Sequence, residues 1–195
     1  MSAPTRLIAL DDAEALARIV RDSREFLAPW EPVHEEPYFT AEGQREYIAA
    51  ALERYRQGIS VPHVILGQQS ILSQQSILGQ QSILGDAGQV VGRITLNNIV
   101  RGPFESCSVG YWVGASHGGR GYATAAVGDI KRVAFSELRL HRVEAGTLKH
   151  NLRSQRVLEN NGFTQFGVAP NYLKIAGEWQ DHVLFQVLNP DTPLA

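Results

Sequence analysis

The chain has a single cysteine, Cys107, among 195 residues. An internal disulfide framework and any multi-cysteine zinc site are thereby excluded, and a reducing compartment fits. Charge imbalance is lacking as well. The formal net charge of −2 gives no electrostatic case for nucleic acid or a membrane surface as the main partner. The six histidines show no paired ligand spacing, so no metal is expected. No apolar run approaches the roughly 20 residues of a membrane span, and Met1-Ser-Ala-Pro-Thr-Arg6 lacks the apolar core of a secretion signal. The expectation is a soluble cytoplasmic protein of one domain, 1–195, with ample material for a core.

What is present centres on Gly110-Tyr-Trp-Val-Gly-Ala-Ser-His-Gly-Gly-Arg-Gly-Tyr-Ala-Thr-Ala-Ala126. Val109, Tyr111, Trp112 and Val113 suit a buried strand. Gly118, Gly119 and Gly121 free the backbone for a close approach. From Tyr122 onward, Ala123, Val127, Ile130, Ala134 and Leu138 recur at helical spacing. A helix that starts from a glycine turn, with Arg120 beside it, is a ready anion site, and pyrophosphate is the natural guest. No Lys-Ser or Lys-Thr follows these glycines, which excludes a Walker loop. The dinucleotide pattern Gly-x-Gly-x-x-Gly is not met in register either.

The remaining elements follow from local signals. Arg6 to Leu10 reads as a first strand, and Asp11 with Glu14 forms a capping-box-like helix start. That first helix yields at Pro29. Thr40 caps a second helix, with Gly58 just past its end. Gln89 to Leu96 is a strand and Asn97 to Glu105 a turn. Arg142 to Leu148 is the strand after the third helix. Asn151 caps a short fourth helix that Gly162 stops. Phe163 to Ile175 and Glu178 to Leu188 form a hairpin about Ala176-Gly177. The order describes a mixed α/β sheet in one domain. Gln-Gln-Ser-Ile-Leu plus Gly or Ser occurs three times from Gln68 to Gly85. Such hexads resemble those of a left-handed β-helix, but three make only about one coil, too little to bury a face. The reading is a low-complexity insert at 68–85 in a surface hairpin, since lengthening a loop costs little.

Gly118-Gly119-Arg120-Gly121-Tyr122-Ala123 resembles the pyrophosphate loop of the Gcn5-related N-acetyltransferases (GNAT), Gln/Arg-x-x-Gly-x-Gly/Ala, with Gly118 in place of the first residue and His117 beside it. Asn151-x-x-Ser154 followed by Asn161-Gly-Phe163 is a second signature. Phe26-Leu-Ala-Pro-Trp-Glu-Pro-Val33, Asn98-Ile-Val-Arg-Gly-Pro-Phe104, Gly110-Tyr-Trp and Tyr172-Leu-Lys-Ile-Ala-Gly-Glu-Trp-Gln-Asp-His182 are similar to the RimJ/RimL group, the ribosomal-protein-alanine N-acetyltransferases. Taken singly, Phe26, Trp30 and Trp179 read as core residues; their joint pattern carries the resemblance.

The resemblance implies a GNAT fold: a mostly antiparallel sheet of about seven strands with four helices, strands four and five splayed. It also implies direct acetyl transfer from acetyl-CoA to a primary amine. Cofactor contacts then fall on Trp112, Val113, Gly118, Gly119, Arg120, Gly121, Tyr122, Ala123, Thr124 and Asn151, the last on the pantetheine amide. Ser154 is the first choice of donor to the departing thiolate and Tyr172 the second. Glu105, Glu31, Glu35 and Glu36 are candidate bases, with His34 and His182 as further ones. The carboxylate that some relatives carry on the penultimate strand has no counterpart between Phe163 and Ala176. Trp30, Glu31 and Glu35 are the expected acceptor contacts. An α-amino group, of pKa about 7.7–8.0, is neutral more readily than lysine at about 10.4, so a protein N-terminus is the easier acceptor. A small amine acceptor, or a CoA-binding module without catalysis, stays open, as does a homodimer.

Overall fold

β-branched residues crowd Val61–Leu66 and Val90–Val100, and both segments are strands in the computed structural model of the chain, which describes residues 3–67 and 88–191. They are β2 and β3. Thr5–Leu7 is β1, Ser106–Val113 β4, Arg142–Leu148 β5, Thr164–Ile175 β6 and Glu178–Leu188 β7. The seven strands form one sheet in the order β1-β2-β3-β4-β5-β7-β6. Every neighbouring pair is antiparallel except β4 with β5. The expected mixed, mostly antiparallel α/β sheet is the one observed.

Both faces of the sheet are covered by helices. Ala13–Asp22 (α1), Arg24–Leu27 (α2) and Ala41–Arg56 (α3) lie on one side. There Leu16, Ile19, Val20 and Ile48 pack with Val64, Val90 and Trp112. Tyr122–Arg132 (α4), which continues as a π-helical turn over Val133–Glu137, and Leu152–Glu159 (α5) take the other side. Ala126, Val127, Ile130 and Leu158 meet Ile65, Ile94, Val109 and Val143 there. Each such aliphatic side chain contributes roughly 1.5–3 kcal/mol when fully buried. No helix among the described residues is long and apolar enough to cross a membrane.

The first helix differs from expectation at both ends. It is interrupted at Ser23, and its start is organised by Asp12 rather than Asp11. Asp12, 5 % exposed, follows a short 3₁₀ turn at Leu10–Asp12. Its Oδ2 accepts from Ala9 N at 2.8 Å, and its two oxygens take the Arg6 guanidinium at 2.8 and 2.6 Å. A buried carboxylate is tolerable with such a fork, which solvent-facing Asp11 does not have. β1 accordingly ends at Leu7. β3 runs on to Val100 through an irregularity between Asn97 and Val100, where Asn98 is left-handed at φ 52°. Thr40 caps α3 through Gly43 N at 3.0 Å, and Ala176 and Gly177, both at positive φ, turn the β6–β7 hairpin as read. The repeats at 68–85 lie outside the described residues. At their margins, Gly67 N donates to Gln89 O at 2.8 Å and Gly88 N to Gly67 O at 2.9 Å, so the β2–β3 ladder closes right up to them.

Candidate active site

β4 and β5 stay together only over Ser106↔Arg142, Cys107↔Val143 and Ser108↔Glu144. The Glu105 carbonyl fastens this closed end, accepting from His141 N at 2.8 Å and Arg142 N at 3.2 Å. Past Ser108 the strands part, and a cleft of about 280 Å³ opens between them. Val109 to Trp112 form one wall and Ala145 to Leu148 the other. Along these stretches each strand turns a row of backbone hydrogen-bonding groups toward the gap with no strand opposite, which suits an extended guest rich in amides.

The cleft passes through the sheet. On the α4–α5 side it is lined by Tyr111, Asn151 and Ser154; on the α1–α3 side by Trp30, Glu31, Tyr47 and Arg93. Trp112 contributes backbone to the wall, since its indole is packed into the α1–α3 core. Val113 follows it, opposite Gly92 of β3.

Beyond β4, Gly119 and Gly121 take left-handed φ values of 76° and 82°, and nothing lies within 4 Å of where a side chain on either would project. Gly121 caps α4 with no side-chain bond to the helix end. The first N–H groups of a helix have no acceptor within it, so those of Ala123 and Thr124 point out of the start of α4, a geometry that suits an anion. That turn is anchored on two sides. Asn161 Nδ2 donates to Thr124 O at 3.1 Å and Val157 O at 2.9 Å, tying α4 to α5. Ala115 N donates to Ser23 Oγ at 3.0 Å. Gly118 and Arg120 are exposed on this turn, and the His117 and Tyr122 rings are 6.4 Å apart.

At the head of α5, Asn151 Oδ1 accepts from Ser154 N at 3.1 Å, which fixes the helix start and aims Ser154. Ser154 Oγ is 2.8 Å from the Tyr111 hydroxyl, whose single hydrogen has either that oxygen or Ser154 O, at 3.2 Å, as its acceptor. Burial pushes the Tyr111 phenol up to about 12, so it remains protonated. Tyr172 lies across β5 beside Gly146, half-exposed, its ring 5.5 Å from that of His182. His182 is 3 % exposed and lines the cleft. Its Nδ1 is 2.9 Å from Gln180 O, an acceptor only, so Nδ1 carries a hydrogen and Nε2 is the ring nitrogen left for the cleft.

The model for the acetyltransferase (GNAT) domain matches residues 5–164. The chain belongs to the GNAT family. This GNAT enzyme is 33% identical over 186 residues to the probable N-acetyltransferase YjcK of Bacillus subtilis, covering 95% of the chain and 93% of the relative. It is 31% identical over 186 residues to the [ribosomal protein uS5]-alanine N-acetyltransferase of Escherichia coli, covering 95% and 87%. Mycobacterium smegmatis RimJ, solved in complex with CoA-disulfide, superposes with a TM-score of 0.81 at 28% identity, over 98% of this chain and 84% of that one. The chain is an N-acetyltransferase.

Not every expected GNAT site residue is brought to the cleft. Trp30 and Glu31 line it; Glu31 O also accepts from Ala176 N at 3.0 Å, so the β6–β7 turn holds the Trp30–Glu31 loop in place. Glu31 Oε2 is 3.6 Å from His34 Nε2. Glu35 is exposed outside the cleft, and Glu36 is bound to Arg24 at 2.6 Å. Glu105 sits at the closed end, paired with Arg101 at 3.1 Å. Trp179 is 62 % exposed near the hairpin tip and Phe26 38 % exposed, so neither is the core residue it resembles when read singly. A second cavity of about 280 Å³ adjoins the cleft past Glu31, bounded by Val20, Leu27, Val33 and Phe39. Tyr111 and Arg93 were not singled out from sequence. The one available signal was a tyrosine whose strand companions Val109 and Val113 face α4, which puts a polar tip inside the molecule.

Proposed function

We propose that this enzyme acetylates the N-terminal α-amino group of a protein, with a ribosomal protein as the first acceptor to test, in a cytoplasmic setting compatible with its lone buried thiol. Acetyl-CoA supplies the acetyl group as an activated thioester. The glycine turn from Gly119 to Thr124 holds the pyrophosphate through backbone N–H groups, with Arg120 adding charge. The Trp112–Val113 backbone and Asn151 align the pantetheine arm. A β4 N–H faces the thioester oxygen as it gains charge. On the opposite side, Trp30 and Glu31 position the amine, and the cavity beyond Glu31 gives room for the acceptor's own side chain. His182 Nε2 or the Glu31 carboxylate takes the proton, directly or through water. Ser154 donates a hydrogen bond to the departing sulfur, and Tyr111, protonated, donates in turn to Ser154 Oγ. Tyr172 is the second choice of donor.

The observation that carries this reading is the cleft through the sheet between the parted strands β4 and β5, with Tyr111 and Ser154 on one side and the Glu31 carboxylate on the other. The likeness to the uS5-alanine N-acetyltransferase supports the choice of acceptor. The test is intact-mass detection of acetylation when the enzyme and acetyl-CoA meet a panel of ribosomal-protein N-terminal peptides, lysine peptides and polyamines. Acetylation confined to the α-amino group is expected; turnover of polyamines alone would overturn the reading.

A further inference from the structure

Arg93 of β3 lies opposite Trp112 of β4 and reaches the cleft from its α1–α3 side. Its guanidinium carbon is 4.1 Å from the centre of the Tyr47 ring and 5.7 Å from that of Trp112. Its Nη1 is buried with no hydrogen-bond partner. An arginine offers five N–H donors and no acceptor. Leaving such groups buried and unmet is unfavourable unless a guest meets them. The guest required is one that presents an acceptor oxygen.

Glu31 lines the same cleft and offers only acceptors. The Tyr38 hydroxyl feels both charges: burial raises its pKa to about 12, Arg93 opposes this by its charge and as a hydrogen-bonding neighbour, and Glu31 reinforces it. One cation and one carboxylate therefore flank a shared space. A peptide N-terminus matches that pair, because its amine and its first carbonyl oxygen hang from the same α-carbon. A polyamine has no oxygen for Arg93, and a lysine side chain carries its amine four methylenes away from any carbonyl.

We propose that Arg93 is a specificity-determining residue that reads the carbonyl oxygen adjacent to the acceptor's α-amino group. This rests on the acetyltransferase reading above and adds to it a rule about which amines are taken. The shared chemistry, an α-amine beside a carbonyl oxygen, occurs in peptide N-termini and in free amino acids.

The test is a cycle of two enzymes and two acceptors at saturating acetyl-CoA. One acceptor is an alanyl peptide. The other is its alkene isostere, in which the first peptide bond is replaced by a carbon–carbon double bond and the oxygen is lost. The wild type should favour the peptide in kcat/KM, and Arg93→Met should shrink that preference by about 10- to 100-fold, the scale of a hydrogen bond to a charged group. The comparison between enzymes cancels the different basicity of the two amines. The KM for acetyl-CoA should not move. Equal losses on both acceptors would overturn the proposal and leave Arg93 as a packing residue. Should the neutral variant not fold, Arg93→Lys keeps a cation over Tyr47 without the planar fork; a partial loss of preference is expected there, and an unchanged preference overturns the proposal. Free alanine as a third acceptor distinguishes a peptide from an amino acid. A wild type that acetylates only the isostere contradicts the protein-acceptor reading itself, a different outcome from an unaltered preference.

Discussion

The Tyr111 hydroxyl lies 2.8 Å from Ser154 Oγ, joining the middle of β4 to the first turn of α5 across one mouth of the cleft. Each hydroxyl has a single hydrogen. When Tyr111 gives its own to Ser154 Oγ rather than to the Ser154 carbonyl, the serine hydrogen is free to point at a sulfur atom in the cleft.

Ser154→Ala should lower kcat by roughly 10²–10⁴-fold, the usual scale for one acid–base group. The affinity for acetyl-CoA, read by calorimetry, should hardly change, because the contact matters only as the C–S bond breaks. Tyr111→Phe should cost about 3- to 10-fold in kcat, one neutral hydrogen bond's worth. An unchanged kcat in Ser154→Ala, with chemistry rate-limiting, would return Ser154 to the role of a helix residue and make Tyr172→Phe the next variant.

Gly121→Val should abolish CoA binding. Gly121 holds φ 82° at the mouth of the anion-binding turn, with open space where a side chain would stand. A β-branched residue is strained in that conformation and would fill the approach to the helix start. Circular dichroism should show the fold retained. Unaltered CoA affinity in a folded variant would place the phosphates elsewhere.

Deletion of residues 68–85 should preserve both the melting temperature and CoA affinity. Gly67 and Gly88 already exchange backbone hydrogen bonds with the opposite strand at the margins of that segment. Changing loop length alters stability by only about 0.6 kcal/mol per doubling. An insoluble or strongly destabilised deletion protein would refute the expectation.

Stability should carry a histidine signature from His63. Thr5 Oγ1 gives its hydrogen to Asp129 Oδ2 at 2.6 Å and therefore accepts from His63 Nδ1 at 2.8 Å. Burial, the largest influence on this ring, lowers its pKa below the ordinary 6.5. The neutral ring's contribution is thus complete above about pH 6.5. As pH falls further, the unfolded chain binds the proton first and stability drops, by at most about 1.4 kcal/mol per pH unit. Melting curves between pH 7.5 and 5.5 should fall less steeply for His63→Gln than for the wild type. Parallel curves would rule this linkage out.

Short-range signals were readable in the chain. Arg142–Leu148, the Ala176-Gly177 turn, the Asn151 cap and the Gly162 stop each depend on neighbours a few residues away, and each was legible without the fold. The first helix start was placed on Asp11 instead of Asp12, because Asp12's partner Arg6 comes from the preceding strand, beyond the reach of a helix-start pattern. Tyr111 became a site residue only through Ser154, 43 positions later. Glu105 looked exposed to the chemistry at the head of β4; only the direction in which the strands part places it at the closed end. Arg93 gave no sign at all, since its distinction is its place in the cleft with one buried nitrogen lacking a hydrogen-bond partner, which a sequence does not record.

Three residue pairs are a short weld between two plates of sheet, one made of β1 to β4 and the other of β5, β7 and β6. Everywhere else along that line the rungs are missing, and a guest lying between the strands would supply them. Such a guest is a structural member of the protein as much as a reactant, and any ligand that binds only the folded chain stabilises it further as its concentration rises above its Kd. The parting of β4 and β5 is thus at once an opening for a guest and an unfinished line in the sheet.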